Sequence, residues 1–251
     1  MVIGFLFLGN YSSAEAKEYD GIWFLGFNLN KDLFRDQEVR EAVNATVDKD
    51  SIVKNIISCE VIPVSIIPPG MLGYDPDLEP TLQDAKFAKL LMKKAGYPMN
   101  DKRIKDLSLL HTDGLKTIEI AKQIQNNLRG IGMKVDLVEI SYAEEGKWVK
   151  ELTSGKHDLF LLGYKAGVEQ LFTSEAEATE IDSASLVEPL FKTDGDVNFT
   201  GYSNSEVDKL LDQVGGFKLA LKSERHNKLK KINQLVHKDL PVVVLFYIEK
   251  L

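Results

Sequence analysis

The sequence predicts an α/β fold in which flanking helices cover a mainly parallel β-sheet. Three short apolar strands alternate with two helices between Asp106 and Gly167. Strands that are joined by helices must cross over and pair in parallel, and such crossovers are right-handed. Two further apolar runs, at 20–29 and 242–248, are typical of buried strands and enlarge the predicted sheet.

Before the central stretch, the pattern predicts one strand and three helices. The run at 20–29 is apolar on both faces and is therefore predicted to be a central strand. Residues 36–47 predict a helix with acidic residues in its first turn, and residues 48–58 predict a second, short helix. Residues 62–74 contain several prolines and glycines and predict an extended loop, which leads to a helix at 85–95.

The periodicity of the central stretch predicts its elements one by one. Asp106–His111 is a short apolar run and predicts a strand, while Leu115–Arg129 carries its apolar residues on one helical face. Lys134–Ile140 alternates with a strand period. Residues 141–154 open with serine and, three residues later, glutamate, which is a capping-box pattern and predicts a helix. His157–Leu162 predicts the third strand.

The last third of the chain has a weaker pattern. The apolar anchors expected within residues 169–192 are Leu186, Leu190 and Phe191. A capping box at Ser203–Glu206 predicts the start of a helix. A longer helix is predicted at 219–239, and Pro241 ends it before the final strand.

Two interpretations of the N-terminus stay open. The apolar run Val2–Leu8, followed by the small residues Ala14 and Ala16, resembles a signal peptide with its cleavage site. No lysine or arginine precedes the short run, however, and this favours a buried strand. A chain that opens directly in a core strand is expected to be a piece of a longer protein.

Composition excludes several classes of function. The net charge of −7 argues against a nucleic-acid partner, because the phosphate backbone requires a basic surface. The single Cys59 excludes an internal disulfide and a cysteine zinc cluster. No phosphate loop, dinucleotide glycine fingerprint or nucleophile elbow is present, so we expect no cofactor.

Catalytic and metal-binding chemistry have few candidate residues. None of the four histidines has metal-ligand spacing to another histidine or to cysteine, so no metal site is predicted. His157, His226 and His237 are interpreted as solvated, whereas His111 stands at a strand end and could meet a ligand. The alternative function is a small hydrolase that uses Cys59 or His111, although a buried, inert cysteine is favoured.

A ligand site is expected where the parallel strands end, because ligands of open α/β sheets bind beyond the carboxyl ends of the strands. The candidate ligand-binding residues are His111, Thr112, Gly163, Tyr164, Lys165, Ala166 and Gly167. The two glycines would let a ligand backbone approach, Tyr164 is expected to be exposed for contact, and Lys165 could face a carboxylate. The alternative is an ordinary connection whose glycines serve only the turn.

Several segments along most of the chain share the order and spacing of one family's motifs. These segments are Gly26–Asn28, Phe34, Asp36, Val39–Arg40, Ala42, Asp48, Ile67–Gly70, Ala88–Leu91, Ala95–Tyr97, Ile124–Gln125, Leu128, Ile131–Gly132, Gly201–Asn204 and Val207–Asp208. Together they resemble extracellular solute-binding proteins of the oligopeptide, dipeptide and nickel class. Each motif is weak by itself, and the agreement in order makes the resemblance specific.

The resemblance implies one lobe of a two-lobed receptor of an ABC importer, with the ligand enclosed between the lobes. Residues 1–251 match the C-terminal half of such proteins and are expected to resemble the C-terminal lobe of a type II periplasmic binding protein. Residues 1–30 and 240–251 are then strands near the inter-lobe side. The implied partners are a peptide or other small solute, an ABC permease and the missing N-terminal lobe, at a periplasmic or extracellular location with membrane tethering of the full-length parent.

The chain departs from the family at the expected site. Peptide-binding members carry Gly-Trp-x-x-Asp, in which the aspartate pairs with the peptide α-amino group. Here Gly163 matches, Tyr164 replaces the tryptophan, and Gly167 stands in the position of the aspartate. Because a buried ammonium without a carboxylate is costly, the resemblance does not specify a peptide with a free amine, unless Glu169 substitutes. Nickel binding is not supported either, because the sequence contains no histidine cluster.

Overall fold

A computed structural model describes residues 17–144, 146–167, 182–216 and 222–250. The elements in chain order are β1 (Tyr19–Phe27), α1 (Asp32–Arg35), α2 (Gln37–Thr46), α3 (Lys49–Ser51), α4 (Ala85–Lys94), β2 (Leu107–Thr112), α5 (Leu115–Gly130), β3 (Val135–Ile140), α6 (Lys147–Thr153), β4 (Leu159–Lys165), α7 (Ala184–Phe191), α8 (Ser205–Gly216), α9 (Lys222–Asp239) and β5 (Val242–Glu249). The two interpretations of residues 2–16 and the suggested role of Glu169 lie outside the described residues.

The described strands form one five-stranded sheet in the order β3-β2-β4-β1-β5. β2 is parallel to β3 and to β4, as the helical connections predict. β1 is antiparallel to both of its neighbours, β4 and β5. The predicted α/β fold is confirmed: four strands point one way, and β1, which is central as predicted, runs against them.

Helices cover both faces of this sheet. One cluster of buried residues joins α2, α4 and α5 to strand residues such as Leu109 and Leu161. The other joins α7, α8 and α9 to strand residues such as Leu110 and Phe160. The expected anchors in the weak region, Leu186, Leu190 and Phe191, are buried in the second cluster, which confirms that prediction. Consecutive strand residues thus enter opposite cores, as the period of two requires.

Two helix starts differ from the capping-box predictions. After β3 the helix begins at Lys147 instead of directly behind Ser141. The Ser141 hydroxyl donates to Asp113 Oδ2 at 2.5 Å and accepts from the Ala143 amide at 3.3 Å. At the start of α8 the cap is Asn204, whose Oδ1 accepts from the Glu206 and Val207 amides. A short side chain binds whichever donor or acceptor the tertiary structure brings near, so spacing alone did not decide either cap.

The predicted helix at 48–58 also takes a different form. Its first turn is α3, and Ile52–Ile57 continue as a π-helix that ends at Ser58, which has a φ of 61°. A 3-10 turn at Lys102–Ile104 leads into β2. The first residues of the helix predicted from 219 lie outside the described residues, and α9 is described from Lys222.

Candidate functional site

The carboxyl ends of β2, β3 and β4 lie at one edge of the sheet, which we call the carboxyl edge. In the registers of these strands Thr112 is opposite Ile140 and Leu110 is opposite Phe160. Because β1 is antiparallel to its neighbours, its first residues and the last residues of β5 lie at the same edge. The structure therefore brings the segments 111–114 and 163–167 to one place, together with the start of β1.

His111 and Thr112 are buried beneath this edge, each at most 2% exposed. The His111 ring places Nδ1 2.9 Å from the Thr112 carbonyl oxygen. The Thr112 hydroxyl oxygen is buried without a hydrogen-bond partner among the described residues. An unsatisfied buried hydroxyl is unfavourable, so Thr112 Oγ1 is a polar group that a neighbouring donor would stabilise.

Gly163 lies against an aromatic side chain of the neighbouring strand. It is the cross-strand partner of Trp23, and a Cβ at Gly163 would stand 2.6 Å from the indole. The absence of a side chain at 163 therefore makes room for Trp23. The expectation that Tyr164 is exposed is wrong, since this side chain is buried in the core that contains Phe160. β4 continues to Lys165, and its alternation turns Tyr164 inward.

Lys165 and Ala166 are both attached to Asp20 at the start of β1. Lys165 Nζ lies 3.1 Å from Asp20 Oδ2, so a carboxylate of the chain itself already faces this lysine. The Ala166 amide donates to the Asp20 carbonyl oxygen at 2.7 Å. Asp20 Oδ1 is buried without a hydrogen-bond partner among the described residues.

Gly167 occupies a conformation that favours glycine. Its φ is 77°, in the left-handed region that other residues enter at a cost. An aspartate in this place would have to adopt a strained backbone or change the turn. The glycine that replaces the family's aspartate is therefore matched to the local backbone.

Four further residues of the carboxyl edge were not among the predicted site residues. The Asp113 carboxylate accepts from the Ser141 hydroxyl and from the Tyr142 amide, at 2.5 and 3.2 Å. These hydrogen bonds, that of Ser141 first, lower the pKa of Asp113. The side chains of Tyr142 and Leu115 are 66% and 82% exposed, which is unusual for large apolar groups. Residues 141–142 directly follow the predicted strand 134–140, so the preference of ligands for strand ends could have found them, but the capping-box pattern assigned Ser141 to a helix start.

The histidines interpreted as solvated each have a protein partner. His157 Nε2 lies 3.0 Å from Glu151 Oε2, and His226 Nδ1 accepts from the Gly73 amide at 3.1 Å. Burial lowers the pKa of His237. The three histidines are therefore partly exposed instead of fully solvated. For His226 and His237 the reason is that α9 packs against the segment that contains Gly73.

Cys59 is buried in the core on the α5 face of the sheet. Its Sγ lies 4.0 Å from the Tyr19 hydroxyl oxygen. A nucleophilic thiol must be accessible and depends on a base that lowers its pKa. Burial therefore gives no support to the hydrolase alternative at Cys59.

The described ranges contain neither a metal-binding cluster nor a membrane span. There, no group of three or more histidine, cysteine, aspartate or glutamate side chains is arranged to hold a metal ion. No helix within those ranges combines the length and the apolar character that a membrane span requires.

The sequence is similar to several solute-binding proteins. It is 26% identical to the glutathione-binding protein GsiB of Pectobacterium atrosepticum over 88% of this chain and 41% of that protein. It is 25% identical to heme-binding protein A of Haemophilus influenzae over 87% of this chain and 38% of that protein. The chain thus spans less than half the length of these curated relatives.

The fold is also that of a solved binding protein. The periplasmic binding protein DppA of Helicobacter pylori, in complex with the peptide STSA, matches 93% of this chain and 43% of its own, with a TM-score of 0.75 and 22% identity. At this identity the likeness concerns the fold alone. Residues 6–172 match the family model of bacterial extracellular solute-binding proteins, family 5 Middle. The chain therefore belongs to the family 5 bacterial extracellular solute-binding proteins.

Proposed function

We propose that this chain is the C-terminal lobe of the substrate-binding component of an ABC importer, which captures a peptide or a related small solute between two lobes. The observation that carries the proposal is the carboxyl edge, where three parallel strands end beside exposed Tyr142 and Leu115. Thr112 and Asp20 each contribute a buried oxygen atom without a hydrogen-bond partner among the described residues at the same edge. Ligands of open α/β sheets bind at such an edge.

The proposed ligand site combines a buried floor and an accessible rim. The floor consists of the buried residues His111, Thr112, Tyr164 and Ala166. The rim consists of Gly163, Lys165 and Gly167 together with Asp113, Leu115, Ser141 and Tyr142. In this arrangement the exposed Tyr142 ring supplies the main contact surface, since an aromatic ring offers a large contact area and a terminal hydroxyl.

The second lobe is proposed to cover the carboxyl edge. Two ion pairs, Lys17 with Glu249 and Lys250 with Glu18, join the start of β1 to the end of β5 at this edge. This supports the assignment of residues 1–30 and 240–251 to the inter-lobe side and of 1–251 to one lobe. In the proposal the parent protein is periplasmic or extracellular, is tethered to the membrane, and delivers its solute to an ABC permease.

The solute need not be a peptide with a free amine. Gly167 offers no carboxylate, and one oxygen of Asp20 is already paired with Lys165. The second oxygen, Asp20 Oδ1, is buried, and both oxygens of Asp113 already accept hydrogen bonds from Ser141 and Tyr142. Relatives whose names describe glutathione-binding and heme-binding proteins differ widely in ligand chemistry, so the proposal extends to related small solutes.

An NMR titration of the 251-residue chain tests this site. The probes are the tetrapeptide Ser-Thr-Ser-Ala and glutathione, each at the highest soluble concentration. Amide shifts are expected at 111–115, 141–142 and 163–167, because these segments form the proposed floor and rim. Tyr142→Ala should reduce the shifts at least several-fold.

The matched control is Leu82→Ala, since Leu82 is also a highly exposed apolar residue but precedes α4. This variant should leave the shifts unchanged. Shifts confined to 104–106 and 132–134, at the opposite ends of β2 and β3, would reject the carboxyl edge as the site. Equal effects of the two substitutions would reject the role of Tyr142.

A further inference from the structure

One short segment of this acidic chain is rich in basic residues. Residues 85–105 contain six lysines, one arginine and one aspartate, a net charge of +6 in a chain whose net charge is −7. The rest of the chain therefore carries −13. Within the Debye length of about 10 Å at 0.1 M salt, a partner meets this local positive charge more strongly than the charge of the whole chain.

The same segment exposes large apolar side chains. On α4 the inward residues Ala88, Leu91 and Met92 are buried in the core. Phe87 and Leu90, on the outward side, are 48% and 61% exposed. A monomeric protein normally exposes such residues singly, whereas these two are one helical turn apart and therefore adjacent.

Lysines surround these apolar residues on the same outward side. Lys86, Lys89 and Lys93 are exposed, and at a spacing of three and four residues they flank Leu90 along one helix face. None of the three forms a salt bridge with any residue that the structure describes. We define Lys86, Phe87, Lys89, Leu90 and Lys93 as the α4 surface.

The loop that follows α4 adds positive charge, but it adds no residue of the kind that typically anchors a protein interface. Lys102 is exposed, and Lys105 Nζ donates to the Met99 and Gly132 carbonyl oxygens. Arg103 is bound to Asp101 and lies 4.3 Å above the Tyr97 ring. The arginine of this segment is therefore paired within the chain, although its side chain is exposed, and the exposed basic residues without a salt bridge to a described residue are lysines.

We propose that the α4 surface docks onto an anionic phospholipid bilayer. Lysine together with phenylalanine and leucine is the combination of residues that helices in the membrane interface present to lipid. Lysine stems can lie along the acyl boundary while their ammonium groups reach the phosphates. Protein interfaces are depleted of lysine and enriched in arginine and tyrosine, so the composition favours lipid over an acidic protein.

The loop that follows α4 lies at the end of the sheet opposite the proposed ligand site. The loop that follows α4 leads into the amino end of β2, where the Lys134 amide donates to the Ile104 carbonyl oxygen. This end of the sheet is opposite the carboxyl edge. Docking through the α4 surface and this loop would therefore leave the proposed ligand edge uncovered.

Sedimentation of the whole 251-residue chain with large vesicles tests the proposal. Vesicles of equal parts phosphatidylglycerol and phosphatidylcholine should bind the protein at low salt, and pure phosphatidylcholine vesicles should not. Each lysine near such a surface changes the vesicle partition coefficient about fivefold. A triple variant should therefore bind about 100-fold more weakly; its substitutions are Lys86→Gln, Lys89→Gln and Lys93→Gln. The double substitution Phe87→Ser and Leu90→Ser should also reduce vesicle binding. The binding that remains should keep the same dependence on salt concentration.

The matched control is the triple substitution Lys116→Gln, Lys122→Gln and Lys150→Gln, which removes three exposed lysines elsewhere and gives the same net charge. Circular dichroism checks that all variants are folded. Retained binding in this control supports the α4 surface. Equal loss in both triple variants, or no binding of the unmodified chain to phosphatidylglycerol vesicles, overturns the proposal and leaves an acidic protein as the occupant of this surface.

Discussion

Lys49 is a buried lysine without an acidic partner within salt-bridge distance among the described residues. It is 6% exposed, and its ammonium donates to Asn44 Oδ1 at 3.1 Å. Buried lysines are usually paired with a carboxylate. Because burial disfavours the charged form, the pKa of Lys49 is lowered to about 8.

This pKa predicts how stability depends on pH. Between about pH 8 and the usual lysine pKa of 10.5, the unfolded chain holds a proton that folded Lys49 has released. The free energy of unfolding therefore rises with pH in this window, by on the order of 2 kcal/mol. Urea unfolding at about pH 8 and pH 10 should show this rise, and Lys49→Met should remove it.

Lys54→Met is the matched control, because Lys54 lies on the continuation of the same helix and its side chain is 57% exposed. This variant should keep the rise. If the rise persists in Lys49→Met as well, the buried lysine is not its origin.

Asp113 and Ser141 give a second prediction at this scale. The hydrogen bond from the Ser141 hydroxyl, followed by that from the Tyr142 amide, lowers the pKa of Asp113 below the ordinary aspartate value of 3.8. In Ser141→Ala the larger cause is removed, so the pKa should move up toward that value. Carboxyl-carbon NMR titration measures it, and an unchanged Asp113 pKa in Ser141→Ala would contradict the hydrogen bond. Ser185→Ala, on α7, is a serine control that should leave it unchanged.

At the scale of elements, β1 and β4 pair a glycine with an aromatic residue at two positions of their ladder. Trp23 is opposite Gly163, and Gly26 is opposite Phe160. In each pair the ring covers the glycine, and a Cβ on either glycine would overlap it. Cross-strand pairs of this kind stabilise a sheet and fix its register.

Gly163→Ala should therefore destabilise the fold. Its new methyl group would meet the Trp23 indole, which is also stacked on Phe246 and has little room to move. Overpacking of this kind costs about 1–3 kcal/mol of the free energy of unfolding. Gly130→Ala, where a Cβ meets nothing within 4 Å, should be neutral or slightly stabilising. Equal urea midpoints for both variants would show that Trp23 can yield.

Arg40 joins three helices at the end of the sheet opposite the carboxyl edge. Its guanidinium donates to the carbonyl oxygens of Phe34 and Arg35 at the end of α1, and to those of Asp239 and Leu240 at the end of α9. Carbonyl groups at a helix end lack partners within the helix. Arg40 itself lies on α2, so one side chain satisfies the ends of two other helices.

Arg40→Met should cost roughly 3 kcal/mol of the free energy of unfolding, because several buried carbonyl groups lose their donors. Arg40→Lys should recover only part of this, since an ammonium cannot reproduce the fork of the guanidinium. Arg35→Met, at a 64% exposed side chain, should cost less than about 1 kcal/mol. Chemical denaturation compares the three, and a small loss in Arg40→Met would refute the bridging role.

At the scale of the whole molecule, the proposed ligand site has one wall. Enclosure between two surfaces normally buries most of a small ligand, and a single edge cannot do so. The 251-residue chain alone should therefore bind Ser-Thr-Ser-Ala or a mixed peptide library more weakly than micromolar. Isothermal titration calorimetry measures this, and micromolar affinity would show that one lobe is sufficient.

Local pattern in the sequence determined most of the helices and strands. α2, α4 and α5 and all five described strands lie where period and turn residues predict them, because burying one helix face or alternate strand residues leaves a local trace. The order of strand and helix between residues 106 and 167 also determined that β2, β3 and β4 are parallel. That order placed the candidate site at their carboxyl ends.

Only the tertiary structure decided which side chains are accessible at that edge. Tyr164 is buried because β4 extends to it, Gly163 accommodates Trp23 from another strand, and Lys165 meets Asp20 from the start of β1. The contacts of Gly163 and Lys165 join residues more than 100 positions apart, which no local period records. The antiparallel direction of β1 likewise depends on its pairing, since an apolar strand has the same pattern in either direction.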